Sequence, residues 1–421
     1  MTRLEEILFI VIVFLLVTTI IIYVYQLYSD EGFTSMEEQI QSHCNRIDGE
    51  NNIIPPLISI TKNSETAKYP LRDFNIKTAY NCCALDTMSE SYVDLCALKM
   101  CLGQGVRCLD FEIYSRNNIP VIATSSKEEI TSANSFNHVA FKEALNLINR
   151  TAFEQALVPN ANDPLIIHMR IMSENSQMYK ELAKNIDIEI DKNRLLGVDY
   201  SYASYKTNFG ETTLHNLLGK VIFIVNNNIN IYESTELYEY VNASSKSEYM
   251  RFMRVKDLNN FDSQNVKLYN RTRMTVLLPD ITTKGDNIDS IDAQSEGVQI
   301  IGMSFQTQDE NLKIYNSYFE NAKSAFVLKD EHLRNSLNST RTVTEDYFEL
   351  EVEPALGIDN VPKQEQPAPQ PIQGPDRPIS DGKSERIRAN QIEDAKMENE
   401  IKQLGKTNDI KKIVDTLKKV I

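Results

Sequence analysis

The run Gly105-Val106-Arg107-Cys108-Leu109-Asp110-Phe111-Glu112-Ile113-Tyr114 decides how this chain is read. It alternates in the manner of a strand. Cys108, Asp110, Glu112 and Tyr114 fall on one face, and Leu109, Phe111 and Ile113 on the other. Two carboxylates two residues apart therefore point the same way. They are costly side by side unless a metal ion, a basic side chain or bulk water lies between them. Upstream, Ala79-Tyr80-Asn81-Cys82-Cys83 closes a second strand-like piece and leads into a helix-like run from Tyr92 to Cys101. Downstream, Ile119-Pro120-Val121-Ile122-Ala123-Thr124 is a third. Three pieces that each end in a polar residue suit a barrel with its site at the C-terminal ends of the strands.

The alternation continues from about residue 71 to 340 and predicts a parallel α/β fold. Phe136–Phe153 and Asn175–Ile186 read as helices. Pro164–Met172 and Gly219–Val225 read as buried strands, the second nearly unbroken and apolar, as a parallel sheet demands. At 421 residues and 42% hydrophobic, the chain is long enough for one large domain with appendages. A net charge of −15 with no basic patch excludes bulk binding of nucleic acid.

In order and spacing, residues 79–124 resemble the X box of phosphoinositide-specific phospholipase C. That box reads Ser-His-Asn-Thr, a helix, Gly-x-Arg-x-x-Glu-x-Asp, then Pro-x-x-x-His. Asp163-Pro164-Leu165-Ile166-Ile167-His168-Met169-Arg170 is similar to the family's Tyr-Pro-x-x-Leu-Ser-Leu-Glu strand, and Leu218-Gly219-Lys220-Val221 to the strand closing the X half. The Y half is matched by Ser245-Lys246-Ser247-Glu248, by Val266-Lys267-Leu268-Tyr269 and by Gly297–Thr307. Ala325-Phe326-Val327-Leu328-Lys329 completes it. The resemblance spans about 260 residues and implies an α/β (β/α)8 TIM-like barrel of the phospholipase C-like phosphodiesterase type.

Phosphoinositide cleavage of this type needs a base for the inositol 2-hydroxyl, an acid for the leaving group and a cation for the phosphate. Histidine suits both proton roles because its pKa lies near neutrality. By resemblance, the two catalytic histidines fall on Tyr80 and Thr124, neither of which exchanges protons near pH 7 when unperturbed. The Ca²⁺ ligands fall on Asn81, Asp110, Glu112 and Arg170, the last a reversal of charge. The substrate-phosphate residues fall on Ser245, Lys267 and Tyr269, and two phosphate-binding lysines become Ile224 and Asn226. We therefore expect no bound Ca²⁺, with Arg170 bridging Asp110 and Glu112 in its place. His168, two residues before Arg170, is expected one layer deeper as a hydrogen-bonded interior imidazole.

The expected organisation is a transmembrane anchor at 1–28, a stalk at 29–70, the X half at 71–228 and the Y half at 229–340. A Pro-rich linker at 341–383 and a charged helical tail at 384–421 follow. Residues 7–25 are uncharged and as long as a bilayer is thick, with Tyr23, Tyr25 and Tyr28 at the exit. They predict a single-pass anchor in a membrane, for instance of a virion or an organelle. Half of the 14 prolines lie between Pro354 and Pro378. In the tail, Ile410, Ile413, Val414, Leu417 and Val420/Ile421 make one apolar stripe beside Lys411, Lys412, Lys418 and Lys419, suited to a protein partner or an anionic membrane. The six cysteines are core packers or disulfide partners. Asn149, Asn242, Asn270 and Asn338 lie in glycosylation triplets.

Three functions follow. The first is a membrane-tethered pseudo-enzyme that keeps the barrel as a binding or structural module, with residual affinity for phosphoinositide headgroups or another phosphorylated ligand through Lys267 and Ser245. The second is an active phosphoric diester hydrolase that uses unorthodox residues. The third is an architectural protein whose tail recruits partners.

Overall fold

In the computed structural model, residues 11–22, 35–50, 54–127, 133–226, 230–245 and 247–335 are described. The runs rich in Val, Ile and Leu become strands. They are β1 (Phe74–Ala79), β2 (Cys108–Arg116), β3 (Ile119–Ile122), β4 (Val139–Ala140), β5 (Leu165–Ile171), β6 (Val221–Asn226), β7 (Val241–Ser244), β8 (Met250–Arg254), β9 (Met274–Leu278), β10 (Ile300–Met303) and β11 (Phe326–Leu328). Eight of them form one curved sheet in the order β7-β6-β5-β2-β1-β10-β9-β8. Every pair along that order is parallel. The result is a nearly closed parallel barrel. The break falls between β7 and β8, which are joined by residues 245–249 alone. Five residues cannot hold the crossover helix by which parallel neighbours are normally linked. β3 pairs antiparallel with β2, and β11 antiparallel with β1.

The helices are α1 (described over 11–22), α2 (Met36–Glu50), α3 (Leu95–Gly103), α4 (Phe141–Thr151), α5 (Ser176–Glu189), α6 (Tyr202–Tyr205), α7 (Leu214–Leu217), α8 (Val255–Leu258), α9 (Ser263–Thr272), α10 (Ser290–Ser295) and α11 (Glu310–Ala322). Their starts are set by short polar side chains. Asp94, Asn175, Asp262 and Asp309 each accept a backbone N–H in the first turn of α3, α5, α9 and α11. Ser35 and Glu38 cap α2 reciprocally, at 2.9 and 3.2 Å. The outward strand residues meet these helices, as where Phe111 of β2 packs edge-on against Phe141 of α4, with ring centroids 5.7 Å apart.

The membrane anchor requires correction. Among the described residues no helix is long and apolar enough to cross a membrane. Within the expected span, helix is described over 11–22 only. At ~1.5 Å per residue that is about 18 Å, against ~30 Å of hydrocarbon. The rest of the 1–28 reading, the Pro-rich 341–383 and the tail 384–421 lie outside the described residues. The 29–70 stretch, read as a stalk, packs against the barrel where it is described. Cys44 and Ile47 of α2 are buried, and so are Leu57 and Ala67 beyond it. Gly105 (φ 73°) makes room for this strap, since a Cβ there would lie 2.4 Å from Leu57 Cδ1.

The cysteines divide between the two readings. Cys44 and Cys96 form a disulfide, while Cys82, Cys83, Cys101 and Cys108 are buried and free. Two of the glycosylation triplets are spoken for. Asn242 and Asn270 are buried, with amide groups donating to the Tyr200 and Glu296 carbonyls at 3.1 and 2.9 Å.

Beneath the barrel, Asp163 accepts the strap's Ile60 N–H at 2.7 Å. Burial pushes its carboxyl up to about 6, although the nearby Arg107 guanidinium opposes the shift. The folded pKa thus exceeds the unfolded value of about 4. Stability from the protonated form is complete below that value and lost as pH rises through about 6. We expect Asp163→Asn to melt with a flatter pH dependence than the parent between about pH 4 and 7. Thermal melts across that range check this, and identical profiles would contradict it.

Candidate functional site

The strand register stacks the site. Asp110 lies beside His168, which lies beside Ile224; one layer higher, Glu112 lies beside Arg170, which lies beside Asn226. β1 ends at Ala79 and the chain turns through Asn81, whose φ of 44° is in the left-handed region that asparagine tolerates. Gly302 of β10 makes space for the preceding residue. A Cβ at 302 would sit 3.2 Å from Tyr80 Cβ and 2.9 Å from Leu278 Cδ2.

Arg170, 5% exposed, reaches across the barrel mouth. Its Nε donates to Asp110 Oδ1 at 3.0 Å, its Nη2 to Asp110 Oδ2 at 3.0 Å and its Nη1 to Glu112 Oε2 at 3.1 Å. Nη2 also donates to Asn81 Oδ1. The guanidinium lies 4.9 Å from the Tyr80 ring centroid. Burial lowers its pKa, but Asp110, Tyr80 and Glu112 outweigh burial and hold it above the usual arginine value. Burial likewise raises the Asp110 carboxyl, yet Arg170 and His168 together hold it well below the ordinary carboxylate range. Asp110 Oδ2 also accepts the Asn81 N–H at 3.0 Å, and the Tyr114 hydroxyl donates to Glu112. His168 Nδ1 lies 2.8 Å from Asp110 Oδ1, and its ring stacks on Phe252 at 4.9 Å. Burial lowers the His168 pKa although Asp110 opposes, so the imidazole is neutral at pH 7.

Asn81, Asp110, Glu112 and Arg170 are thus brought together. Ca²⁺, the metal the resemblance implies, does not fit them. The guanidinium has taken the carboxylate oxygens that would ligate it. A divalent ion about 4 Å away would be repelled by roughly 8 kcal/mol even at an effective dielectric constant near 20.

The other expected site residues divide between the cavity and the outer layer. Tyr80 lines the cavity at the mouth, but Thr124 does not. The Thr124 backbone joins the 134–135 turn, and its neighbours Ser125 and Lys127 reach the cavity instead. Ser245 follows β7, bonded through its N–H to the Val225 carbonyl, and stays off the cavity wall. Lys267 and Tyr269 are on α9, in the outer layer. Lys267 Nζ is 3.7 Å from Glu296, and the Tyr269 ring lies 4.0 Å from Arg251. The reason is local: Asp262 caps 263–272 as a helix, and the strand begins only at Met274.

The sequence reading missed Arg254. It ends β8, lines the cavity and donates to the Pro279 carbonyl at 2.6 Å, with Tyr80 Oη 3.4 Å away. The signal was the alternation of Met250-Arg251-Phe252-Met253-Arg254, which puts Phe252 and Arg254 on the inner face. The cavity holds about 300 Å³ and is lined by Lys127, Arg170 and Arg254 together with Glu112, Glu174 and Asp257. Tyr80, Phe252 and Leu278 give it apolar walls, and no imidazole faces it among the described residues.

Residues 220–332 match the family model "Phosphatidylinositol-specific phospholipase C, Y domain". Among solved structures, PLC21 of S. officinalis is similar at 17% identity and a TM-score of 0.52, over 65% of this chain and 38% of that one. PLC21 of L. pealei is similar at 17% identity and 0.52, over 66% and 39%. The chain therefore spans about two fifths of the length of these two structures, and at this identity the likeness speaks for the fold. No curated protein sequence matches it. Residues 220–332 thus match the Y domain of phosphatidylinositol-specific phospholipase C, and the barrel that holds them is similar in fold to the barrels of those two structures.

Proposed function

We propose that the barrel binds a phosphorylated headgroup of the phosphoinositide class and does not cleave it. The observation that carries this is the Arg170 guanidinium, hydrogen-bonded to Asn81, Asp110 and Glu112 where the family resemblance would put a cation. The positions that would carry protons hold Tyr80 and Thr124, and the one imidazole nearby, His168, is fully buried beneath Asp110. Arg254 and Lys127, opening on the same cavity, are the cations suited to one phosphate group.

Titration calorimetry with inositol 1-phosphate and inositol 1,4,5-trisphosphate tests the binding reading. Arg254→Gln is expected to weaken binding roughly 10- to 100-fold, the value of a hydrogen bond to a charged group. Lys267→Ala on α9 is expected to leave it unchanged. If neither compound binds, or if Arg254→Gln binds like the parent, the reading fails.

A further inference from the structure

Outside the barrel mouth, Cys44, Asp94 and Cys96 bring three potential ligand atoms within 4.8 Å of one another. Among the described residues no other group of histidine, cysteine and carboxylate ligands does so. The structure pairs the two sulfurs as a disulfide. The carboxylate beside them is not needed for that bond. Asp94 caps α3, its Oδ1 accepting the Cys96 N–H at 2.8 Å, and the same oxygen lies 3.6 Å from Cys44 Sγ.

We infer that this group is a second kind of tether when the disulfide is reduced: a site for one thiophilic divalent cation, Zn²⁺ by its chemistry, held by Cys44, Cys96 and Asp94. The distances suit it. With Zn–S near 2.3 Å and Zn–O near 2.0 Å, a tetrahedral ion separates a sulfur from an oxygen by roughly 3.5 Å. Cys44 Sγ and Asp94 Oδ1 are already 3.6 Å apart. The two sulfurs would have to open to roughly 3.8 Å, which side-chain rotation supplies while the backbones stay put at a Cα separation of 5.8 Å. The fourth position goes to water.

The chemistry balances in two steps. A dithiol reductant breaks the Cys44–Cys96 bond, giving two protein thiols and the cyclic disulfide of the reductant. Zn²⁺ then forms two Zn–S bonds, and the two thiol protons leave to solvent. Exchange with a small-molecule disulfide, itself reduced to two thiols, re-forms the Cys44–Cys96 bond and expels the metal. In either state α2 stays fixed to α3. Polar contacts also hold α2 in place, with Arg46 donating to the Leu85 carbonyl at 3.1 Å and Tyr92 Oη to Gln39 Oε1 at 2.8 Å. Cys82, Cys83, Cys101 and Cys108 are buried and free, so their thiols serve as internal controls.

The test uses the full chain, reduced with dithiothreitol, desalted without oxygen and titrated with Zn²⁺ against a chromophoric chelator. Reduced parent protein is expected to bind one Zn²⁺ per chain, and oxidised protein and Cys44→Ser none. Asp94→Asn keeps an N-capping side chain, so the fold should be preserved, while affinity is expected to drop at least tenfold. Co²⁺ should give a thiolate charge-transfer band in the reduced parent and none in Cys44→Ser. Equal metal uptake by parent and Cys44→Ser would overturn the proposal, and so would parent-like affinity in Asp94→Asn.

Discussion

Arg170→Ala is expected to destabilise the barrel by about 3–5 kcal/mol, the range for removing one partner of a buried ion pair. The effect is large because the loss is one-sided. Asp110 is wholly buried and Glu112 2% exposed, so neither carboxylate can recover its hydration. His168, neutral and on the far side of Asp110, does not replace the lost charge. For a domain of this size that corresponds to a fall in melting temperature of roughly 10 °C. Arg170→Lys is expected to recover little, since one ammonium cannot reach both Asp110 oxygens, Glu112 and Asn81 together. Adding Asp110→Asn to Arg170→Ala should regain part of the loss, because the stranded charge is gone. Calorimetric melts of the three variants check this. A folded Arg170→Ala protein with the parent's melting temperature would contradict it.

Loss of the disulfide is the second large effect. Cys44 and Cys96 are 52 residues apart in sequence. Closing a loop of that length removes denatured-state entropy worth about 4 kcal/mol in the chain-entropy model. In metal-free buffer, the Cys44→Ser, Cys96→Ser protein should therefore melt about 10 °C lower. Damage should begin at α2, which covers the 85–92 turn through Arg46 and Gln39. Hydrogen exchange is the check: protection should fall first in 36–50 and 85–92 while β2 and β5 stay protected. Uniform loss across the barrel would contradict it.

The barrel was legible in the sequence because parallel strands buried on both faces leave continuous apolar runs. Leu165–Ile171 and Val221–Val225 carry that signal. The buried clamp was legible for a different reason. A period of two fixes which side chains share a face, so Asp110, Glu112 and Arg170 had to converge once β2 and β5 were neighbours. The Y half was less legible. Lys267 and Tyr269 fit a motif three residues long, but helix or strand depends on the Asp262 cap and the packing of Val266, which so short a motif does not contain. Arg254 was hidden because β8 has only five residues, and its alternation mixes two arginines with Met and Phe. The N-terminal reading took residues 7–25 as helix throughout, whereas helix is described over 11–22 only. Nor does spacing say which cysteines pair; that Cys44 and Cys96 meet depends on how α2 packs beside α3.

We propose that the Arg170 guanidinium stands where the resemblance would put a metal, over a cavity that no imidazole faces among the described residues. Phosphodiesterase assay of the full chain on vesicles containing phosphatidylinositol or its phosphates, with Ca²⁺ and again with a chelator, tests it most directly. We expect no release of inositol phosphate above the protein-free blank in either condition. Turnover that appears with Ca²⁺ and disappears with the chelator would contradict the account.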